Sequence, residues 1–220
     1  MALTKAEINK EICNRLETLY KESMAFELFV EDQTRNAWRQ FCYNSWDIEL
    51  DEKFDFCLCN GASRGVIVYN DFDWVVKFCF REEVERKSYD FNEAEVQIYT
   101  DAVTKGLQDF FAEIWCGGDF HGLTFYIMEK ANTDPSEVDA DFYSGVFEAY
   151  PCFYEYESTD EGEMNDDDVA GIANFFGNYG AHERVVELLN FCSYQYVCDI
   201  HEKNVGFIGE RPVFIDYAGY

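Results

Sequence analysis

The stretch 54–80, FDFCLCNGASRGVIVYNDFDWVVKFCF, decides the fold of this 220-residue chain. It contains three short apolar runs, 54–59, 66–69 and 74–80, which are separated by two groups of turn residues. Apolar runs of this length, bounded by Gly, Asn and Asp, are typical of strands joined by tight turns. We therefore predict three consecutive antiparallel strands.

The chain after these strands predicts one helix and two further strands. Apolar side chains at the spacing of one helix face, with Glu95 among them, predict a helix that ends near Gly106. The runs 112–116 and 123–129 predict a fourth and a fifth strand, with the hairpin turn between them at 117–119. The predicted order is three strands, a helix and two strands.

The amino-terminal segment predicts a helix that packs on the rest of the protein. Thr4 and Glu7 have the spacing of a capping box, and the apolar residues after them recur every three or four positions. The segment 25–51 is rich in aromatic residues and has no pattern that assigns it to helix or strand.

The carboxyl-terminal half begins with an acidic segment and then becomes helical. Eight of the fourteen residues in 155–168 are acidic, which predicts a solvated loop, with an acidic docking tract as the alternative. Periodic apolar residues predict a helix from about Val169 and another over 181–196. An apolar strand is predicted at 213–215.

Charge and composition limit the class of protein. The chain has 17 basic and 44 acidic residues, a net charge of -27, which disfavours binding to nucleic acids and to anionic membranes. Hydrophobic residues make up 48% of the chain, which excludes a disordered protein. Because no leader or membrane-spanning pattern is found, we expect a cytoplasmic protein.

The nine cysteines are expected to be buried, reduced thiols. Their number is odd and most of them stand in apolar runs, which is typical of a reducing compartment. Cys57 and Cys59 alternate as strand residues do, and no second pair has the spacing of a zinc site.

Asp199, Asn204 and Asp216 have the chemistry that magnesium-assisted phosphoryl transfer requires. Asp199 and Asn204 stand five residues apart in a polar loop, and Asp216 follows the predicted strand 213–215. Hard oxygen ligands hold Mg²⁺ against nucleotide phosphates, while a separate carboxylate orients the attacking hydroxyl. Taken alone, an Asp and an Asn in a loop are more often turn formers, so both interpretations stay open at this point.

Five features, in chain order, resemble the protein kinase-like superfamily, which includes aminoglycoside-type small-molecule kinases. The first is the loop between the first two predicted strands, which resembles the glycine-rich loop that covers the phosphates. Its residues are Gly61, Ala62, Ser63, Arg64, Gly65 and Val66. Lys77, at the end of Val75-Val76-Lys77, looks like the lysine that neutralises the α and β phosphates. Glu95 on the following helix resembles the carboxylate partner of that lysine, with Glu93 as the alternative.

The fourth feature is the segment 126–131, which resembles the hinge between the two kinase lobes. The resemblance implies that main-chain groups of Glu129 and Ala131 bond adenine and that Met128 borders the adenine pocket.

The fifth feature is Asp199-x-His201-x-x-Asn204 followed by Asp216-Tyr-Ala-Gly, which resembles the catalytic loop and the metal-binding strand end. The resemblance implies that Asp199 orients the acceptor hydroxyl and that Asn204 and Asp216 hold Mg²⁺. The position of His201 is similar to the aminoglycoside kinase loop, where it contacts phosphate or supports Asp199.

Together these features imply an α+β, bilobal protein kinase-like fold that uses ATP and Mg²⁺. We expect an N-terminal helical extension over 1–51, and an N-lobe over 52–130 with a five-stranded antiparallel sheet and one helix. A truncated, mostly helical C-lobe is expected over 131–220. Two departures stand out: Val197-Cys198 replaces the usual His-Arg, and only four residues follow Asp216, so we expect no activation segment.

Several alternatives remain open at this stage. The expected activity is phosphoryl transfer to an acceptor of unknown identity, either a protein hydroxyl or a small molecule. The first alternative is a pseudokinase that binds a nucleotide or a partner without transferring phosphate. The second is an acidic mimic of nucleic acid that occupies a basic protein surface. A second copy of the chain is a further candidate partner, because a shortened C-lobe leaves apolar surface to cover.

Overall fold

A computed structural model describes most of the chain. The described residues are 3–47, 55–61, 63–87, 90–133, 166–176, 181–195, 197 and 204–218. They belong to two compact units, Met1–Ala94 with Ile114–Lys130 and Glu95–Glu113 with Ala131–Tyr220. Within these ranges, no helix is both long and apolar enough to cross a membrane.

The first unit is built on a five-stranded antiparallel sheet. Its strands are β1 (Phe56–Asn60), β2 (Arg64–Tyr69), β3 (Trp74–Cys79), β4 (Ile114–Phe120) and β5 (Leu123–Glu129). Their order in the sheet is β1-β2-β3-β5-β4, and each neighbouring pair is antiparallel. The predicted α+β class and the predicted antiparallel sheet are confirmed in this form.

Three helices at the amino terminus cover one face of this sheet. They are α1 (Lys5–Glu22), α2 (Met24–Asp32) and α3 (Arg35–Asp47). The predicted capping box is present, since the Thr4 side chain accepts from the Glu7 N–H and the Glu7 side chain accepts from the Thr4 N–H. The helices and the sheet share one hydrophobic core. Phe26, Phe29 and Trp38 from the helices are fully buried in it, as are Ile67 and Phe78 from the sheet.

The hairpin between β4 and β5 turns later than predicted. Gly117 and Gly118 lie inside β4 at an irregularity in the pairing, and the turn falls at His121 and Gly122. Both turn residues have positive φ, 50° and 83°, as a two-residue hairpin turn requires. Gly117 is explained by packing instead, because a Cβ there would lie 2.3 Å from the Phe125 ring. The predicted turn at 117–119 is therefore wrong.

Two helices follow β3. The first, α4 (Arg81–Lys87), was not predicted. The second, α5 (Phe91–Thr104), is the predicted helix; the Asp90 carboxylate caps its start, and Gly106 just after it has a φ of 74°. The first four residues of α5 belong to the first unit and the remainder to the second.

In its described residues, the second unit adds two helices and a two-stranded hairpin to the larger part of α5. It contains α6 (Asp166–Phe176), α7 (His182–Tyr194), β6 (Val205–Ile208) and β7 (Arg211–Phe214). Its core is aromatic, with the rings of Phe111, Phe176, Phe191, Phe214 and Tyr217 in mutual contact. Because α6 begins at Asp166, the end of the predicted acidic loop is helical, and 155–165 lies outside the described residues.

The cysteines are not uniformly buried, which corrects the sequence prediction. Cys79 and Cys192 are buried, but Cys57 and Cys59 on β1 are exposed. The two exposed thiols share one sheet face, since they are two residues apart in a strand. That face is opposite to the one covered by α1–α3.

Candidate functional site

The sheet face that the amino-terminal helices leave uncovered carries the predicted nucleotide-binding side chains of the first unit. Val66 pairs with Lys77, and Lys77 pairs with Tyr126 on the next strand. Val75 pairs with Met128 in the same way. Residues that are directly opposite on neighbouring strands lie on the same face of a sheet, and so does every second residue along one strand. These five side chains therefore line one surface.

Lys77 is buried in the middle of this surface. Only 5% of it is exposed, whereas Val66 and Val75 beside it are half-buried. A buried ammonium group is costly unless an anion or several acceptors face it. Lys77 therefore lies beside apolar side chains that remain partly accessible, and its predicted role at a phosphate stays a prediction.

The loop between β1 and β2 is short and tightly bonded. The Gly61 N–H donates to the Arg64 carbonyl at 2.9 Å, and the Ser63 carbonyl accepts from the Phe80 N–H at 3.0 Å. Ala62, predicted to belong to the phosphate loop, lies outside the described residues.

Gly65 is required by packing on the helix-covered face. A Cβ at Gly65 would lie 2.5 Å from atoms Cδ2 and Cε2 of Trp38, whose own Nε1–H donates to the Cys59 carbonyl at 3.2 Å. The absence of a side chain at Gly65 therefore has an explanation that needs no phosphate. Its predicted role next to a nucleotide stays a prediction.

Arg64 precedes Gly65 and points to the opposite face. Its side chain is 4% exposed, and its Nη1 lies 3.5 Å from the Oδ1 of Asn92 on α5. Cys79 is the residue opposite Arg64 on β3, and burial raises the pKa of its thiol to about 12. Cys79 is therefore a neutral thiol at physiological pH, and both the Asp90 carboxylate and the Arg64 guanidinium act on it, so this part of the face carries charges of both signs.

In the second unit, the two predicted metal ligands lie at the same end of the hairpin β6–β7, where Asn204 is opposite the residue before Asp216. Asn204 directly precedes β6, and Asp216 follows β7 after one residue. The Ile215 N–H donates to the Asn204 carbonyl at 2.9 Å, which extends the hairpin pairing as far as the two ligand positions. Asn204 is 6% exposed and Asp216 is half-buried.

Glu95 is held against the residue after Asp216. Its Oε1 accepts from the Tyr217 N–H at 3.1 Å, and Glu95 is fully buried. The Tyr217 hydroxyl donates to the Ala112 carbonyl at 3.1 Å, which anchors the same segment from its other side. Glu93, the alternative, is exposed, so Glu95 is the carboxylate that faces the protein interior.

The predicted hinge residues lie at the end of β5 and just beyond it. Met128 is 1% exposed, and Glu129 pairs with Trp74, the first residue of β3. Ala131, in the second unit, is close to β6, since a Cβ at Gly206 would lie 2.7 Å from the Ala131 Cβ.

Asn204 and Asp216 fit a magnesium ion by the chemistry of their donors. Mg²⁺ prefers amide and carboxylate oxygens and is usually held by one or two protein carboxylates together with phosphates and water. Among the residues that the structure describes, no three His, Cys, Asp or Glu side chains form a metal-binding cluster. Asp199 and His201 lie outside the described residues, so their predicted roles stay predictions.

In comparisons with known proteins, no protein-family model, curated protein or solved structure matches this chain.

Sequence reasoning missed two side chains that shape this region, Trp38 and Asn92. Trp38 lies in the segment that had no decisive pattern, although its fully buried ring sets the need for Gly65. Asn92 follows the helix cap Asp90 and looks from sequence like one more polar residue at a helix start. Its buried contacts with two strands are visible only in the fold.

Proposed function

We propose that this chain is an ATP- and Mg²⁺-dependent phosphotransferase of the kinase type, whose acceptor is a protein hydroxyl or a small molecule. The observation that carries the proposal is the placement of Asn204 and Asp216, two magnesium-type oxygen ligands, at the same end of one hairpin, joined by the Ile215–Asn204 backbone bond. In this proposal the two units correspond to the two lobes of a kinase-like fold.

The first unit supports the proposal through the order of its sheet and the position of Lys77. A sheet of order β1-β2-β3-β5-β4, with α5 between β3 and β4, agrees with the kinase-like organisation inferred from the motifs. Lys77 is buried on the same face as Val66 and Met128, which suits a lysine that binds phosphate beside an adenine pocket.

In the proposed reaction, the protein contributes position and charge. The Lys77 ammonium neutralises phosphate oxygens, and Asn204 and Asp216 hold the metal, which balances charge on the transferred group. Asp199 orients the acceptor hydroxyl as in the motif it resembles. Glu95, bonded to the Tyr217 N–H, keeps the segment after Asp216 in place.

The test is phosphate transfer from γ-labelled ATP, with Mg²⁺ or Mn²⁺, by the full chain. Transfer to the chain itself, to a hydroxyl-containing peptide library and to an aminoglycoside distinguishes the acceptor classes. Asp216→Asn removes the carboxylate and should lower turnover by about 100-fold or more, the scale on which electrostatic groups contribute to catalysis.

Asp109→Asn is the matched control. It makes the same change of charge in the same unit, at a carboxylate that pairs with Arg184 at 3.1 Å, and should leave transfer unchanged. Full turnover in folded Asp216→Asn protein would refute the proposal. Binding of MgATP with neither transfer nor hydrolysis would identify the chain as a nucleotide-binding module instead.

A further inference from the structure

Cys57 and Cys59 are accessible thiols on the edge strand β1 of the first unit's sheet. Both are exposed, whereas the other cysteines whose side chains the structure describes are half-buried or buried. Strand β1 stands at one end of the sheet order and pairs with β2. Because the two residues are two positions apart in a strand, their thiols lie on the same face. This edge of the sheet therefore presents two nucleophiles side by side.

Cross-strand pairing places Cys59 in line with Lys77, which the proposed function assigns to the nucleotide. Cys59 pairs with Val66 on β2, and Val66 pairs with Lys77 on β3. Neighbouring strands are about 4.7–4.9 Å apart, so the Cα atoms of Cys59 and Lys77 are roughly 10 Å apart with Val66 between them. A group attached at Cys59 therefore lies beside Val66.

The neighbouring row of paired residues begins at the other thiol. Cys57 pairs with Val68, Val68 with Val75, and Val75 with Met128. Exposure decreases along both rows from the edge inward: the thiols are exposed, the valines of β2 are half-buried, and Lys77 and Met128 are buried. The accessible part of this face is therefore at β1 and β2.

We infer that Cys57 and Cys59 form a thiol-modification site at this accessible edge, that the site reacts with small disulfides of the glutathione type, and that the resulting mixed disulfide and MgATP exclude each other. The exclusion of MgATP rests on the proposed function, whereas the reaction of the thiols does not depend on it.

The reaction is thiol–disulfide exchange at Cys57. Its thiolate attacks one sulfur of the small disulfide and forms a bond to that half, while the other half leaves as a thiolate and takes up the proton that Cys57 released. Cys57 is thereby oxidised and the leaving half is reduced, so no other oxidant is needed. Partial desolvation and the neighbouring Cys57 thiol raise the pKa of Cys59, which makes Cys59 the slower nucleophile.

The geometry of β1 favours a mixed disulfide over a bond between the two cysteines. Residues two positions apart in a strand have Cα atoms about 6.4–6.8 Å apart, the upper end of the range that a disulfide spans. Pairing with Val68 and Val66 holds both residues in this extended form. A bond between Cys57 and Cys59 would require the strand to move, so the external group stays on Cys57 until a free thiol removes it.

The experiment is incubation of the reduced, native full chain with glutathione disulfide or with cystamine, followed by mass spectrometry of the intact chain and its peptides. We expect one adduct at Cys57 first, with Cys192 unmodified. Cationic cystamine should react faster than anionic glutathione disulfide, because the chain has a net charge of -27. MgATP at ten times its Kd should slow the reaction about 10-fold, since only the nucleotide-free chain reacts. The modified chain should bind MgATP at least about 10-fold more weakly until dithiothreitol removes the adduct.

Two variants control for the position of the thiol. Cys57→Ser combined with Cys59→Ser removes both thiols, so disulfide treatment should no longer change the affinity for MgATP. Thr18→Cys in this background is the matched control, because Thr18 is exposed on α1, in the helix layer that covers the opposite face of the sheet. Its thiol should form the mixed disulfide at a rate that MgATP does not change, with no loss of MgATP affinity.

The outcomes separate this inference from the proposed function. If the wild-type chain binds MgATP but the rate at Cys57 does not change, the inference fails and the proposed function stands. If Cys57 reacts in the folded chain but no MgATP binds, the proposed function and the exclusion of MgATP both fail, while the modification site stands. If Cys57 reacts no faster than the buried Cys192, the modification site is refuted, whatever nucleotide binds.

Discussion

Replacing Gly65 with alanine tests why the loop between β1 and β2 needs a glycine. The added Cβ would lie 2.5 Å from two atoms of the Trp38 ring and 2.9 Å from a third. Trp38 is fully buried between Phe29, Phe41 and Phe78, so its ring has little room to move. Overpacking of this kind costs about 1–3 kcal/mol, and alanine recovers roughly 0.5–1 kcal/mol of backbone entropy. We expect Gly65→Ala to lower the free energy of unfolding by about 1–2 kcal/mol.

A double-mutant cycle with Trp38→Phe tests whether contact with the Trp38 ring causes this loss of stability. Phenylalanine lacks the second ring of the indole and can shift into the space that this ring leaves, so the cost of Gly65→Ala should fall below about 0.5 kcal/mol in that background. Trp38→Phe alone should be destabilising, because it leaves a gap and removes the donor to the Cys59 carbonyl.

Urea unfolding followed by tryptophan fluorescence measures the cycle, because all four tryptophans lie in the segments of the first unit. Gly171→Ala is the control, because Gly171 is exposed in α6 and an added Cβ there would meet nothing within 4 Å. This substitution should stabilise α6 by roughly 0.5–1 kcal/mol, which circular dichroism would measure. If Gly65→Ala costs the same in the wild-type chain and in the Trp38→Phe background, the packing explanation is wrong. Gly65 would then be needed for the loop conformation or for a ligand.

Three further predictions follow from individual contacts. Asp71→Asn should lower the free energy of unfolding by about 0.2–1 kcal/mol at pH 7. Hydrogen bonds from Arg15 lower the pKa of Asp71, so the stabilisation by this pair is present above the ordinary Asp pKa and is lost as the pH falls through the lowered value. Urea unfolding at several pH values would measure this loss. Cys57 should be alkylated in the native protein, whereas Cys79 and Cys192, whose pKa values burial raises, should react only on unfolding; labelling of Cys192 as fast as Cys57 would contradict this burial. Glu95→Leu should destabilise by about 1–3 kcal/mol by leaving the buried Tyr217 N–H without its acceptor, while Glu95→Gln keeps an acceptor and should cost less in thermal unfolding.

The elements that sequence reasoning found are those with a strong local pattern. The capping box at Thr4 and Glu7 and the strand runs around Lys77 need only neighbouring residues to be recognised. Helices α2 and α3 were missed because Phe26, Phe29, Trp38 and other aromatic residues point into the core from closely spaced positions, which blurs the helical period. Their assignment depends on the sheet that they cover.

For single glycines too, the sequence alone does not show why the residue is needed. Gly117 and Gly122 look equally like turn residues, but Gly122 adopts a positive φ while Gly117 makes room for the Phe125 ring. Gly65 is likewise explained by Trp38, which is 27 positions earlier. A glycine needed for close packing and a glycine needed for a turn cannot be distinguished until the partner side chain is known. For the candidate site, the sequence predicted the strand before Asp216 but not β6 after Asn204, and the contacts of Asn92 required three elements to be assembled first.

Neighbouring residues of β2 face opposite sides of the sheet and meet different requirements there. Gly65 faces the helices, where the lack of a side chain admits Trp38, and Arg64 faces the opposite side with Lys77. Helices α1–α3 therefore influence the proposed phosphate site through the backbone of β2, since they cover the other face. Because a substitution at Trp38 would shift this strand, stability and the affinity for MgATP should change together there.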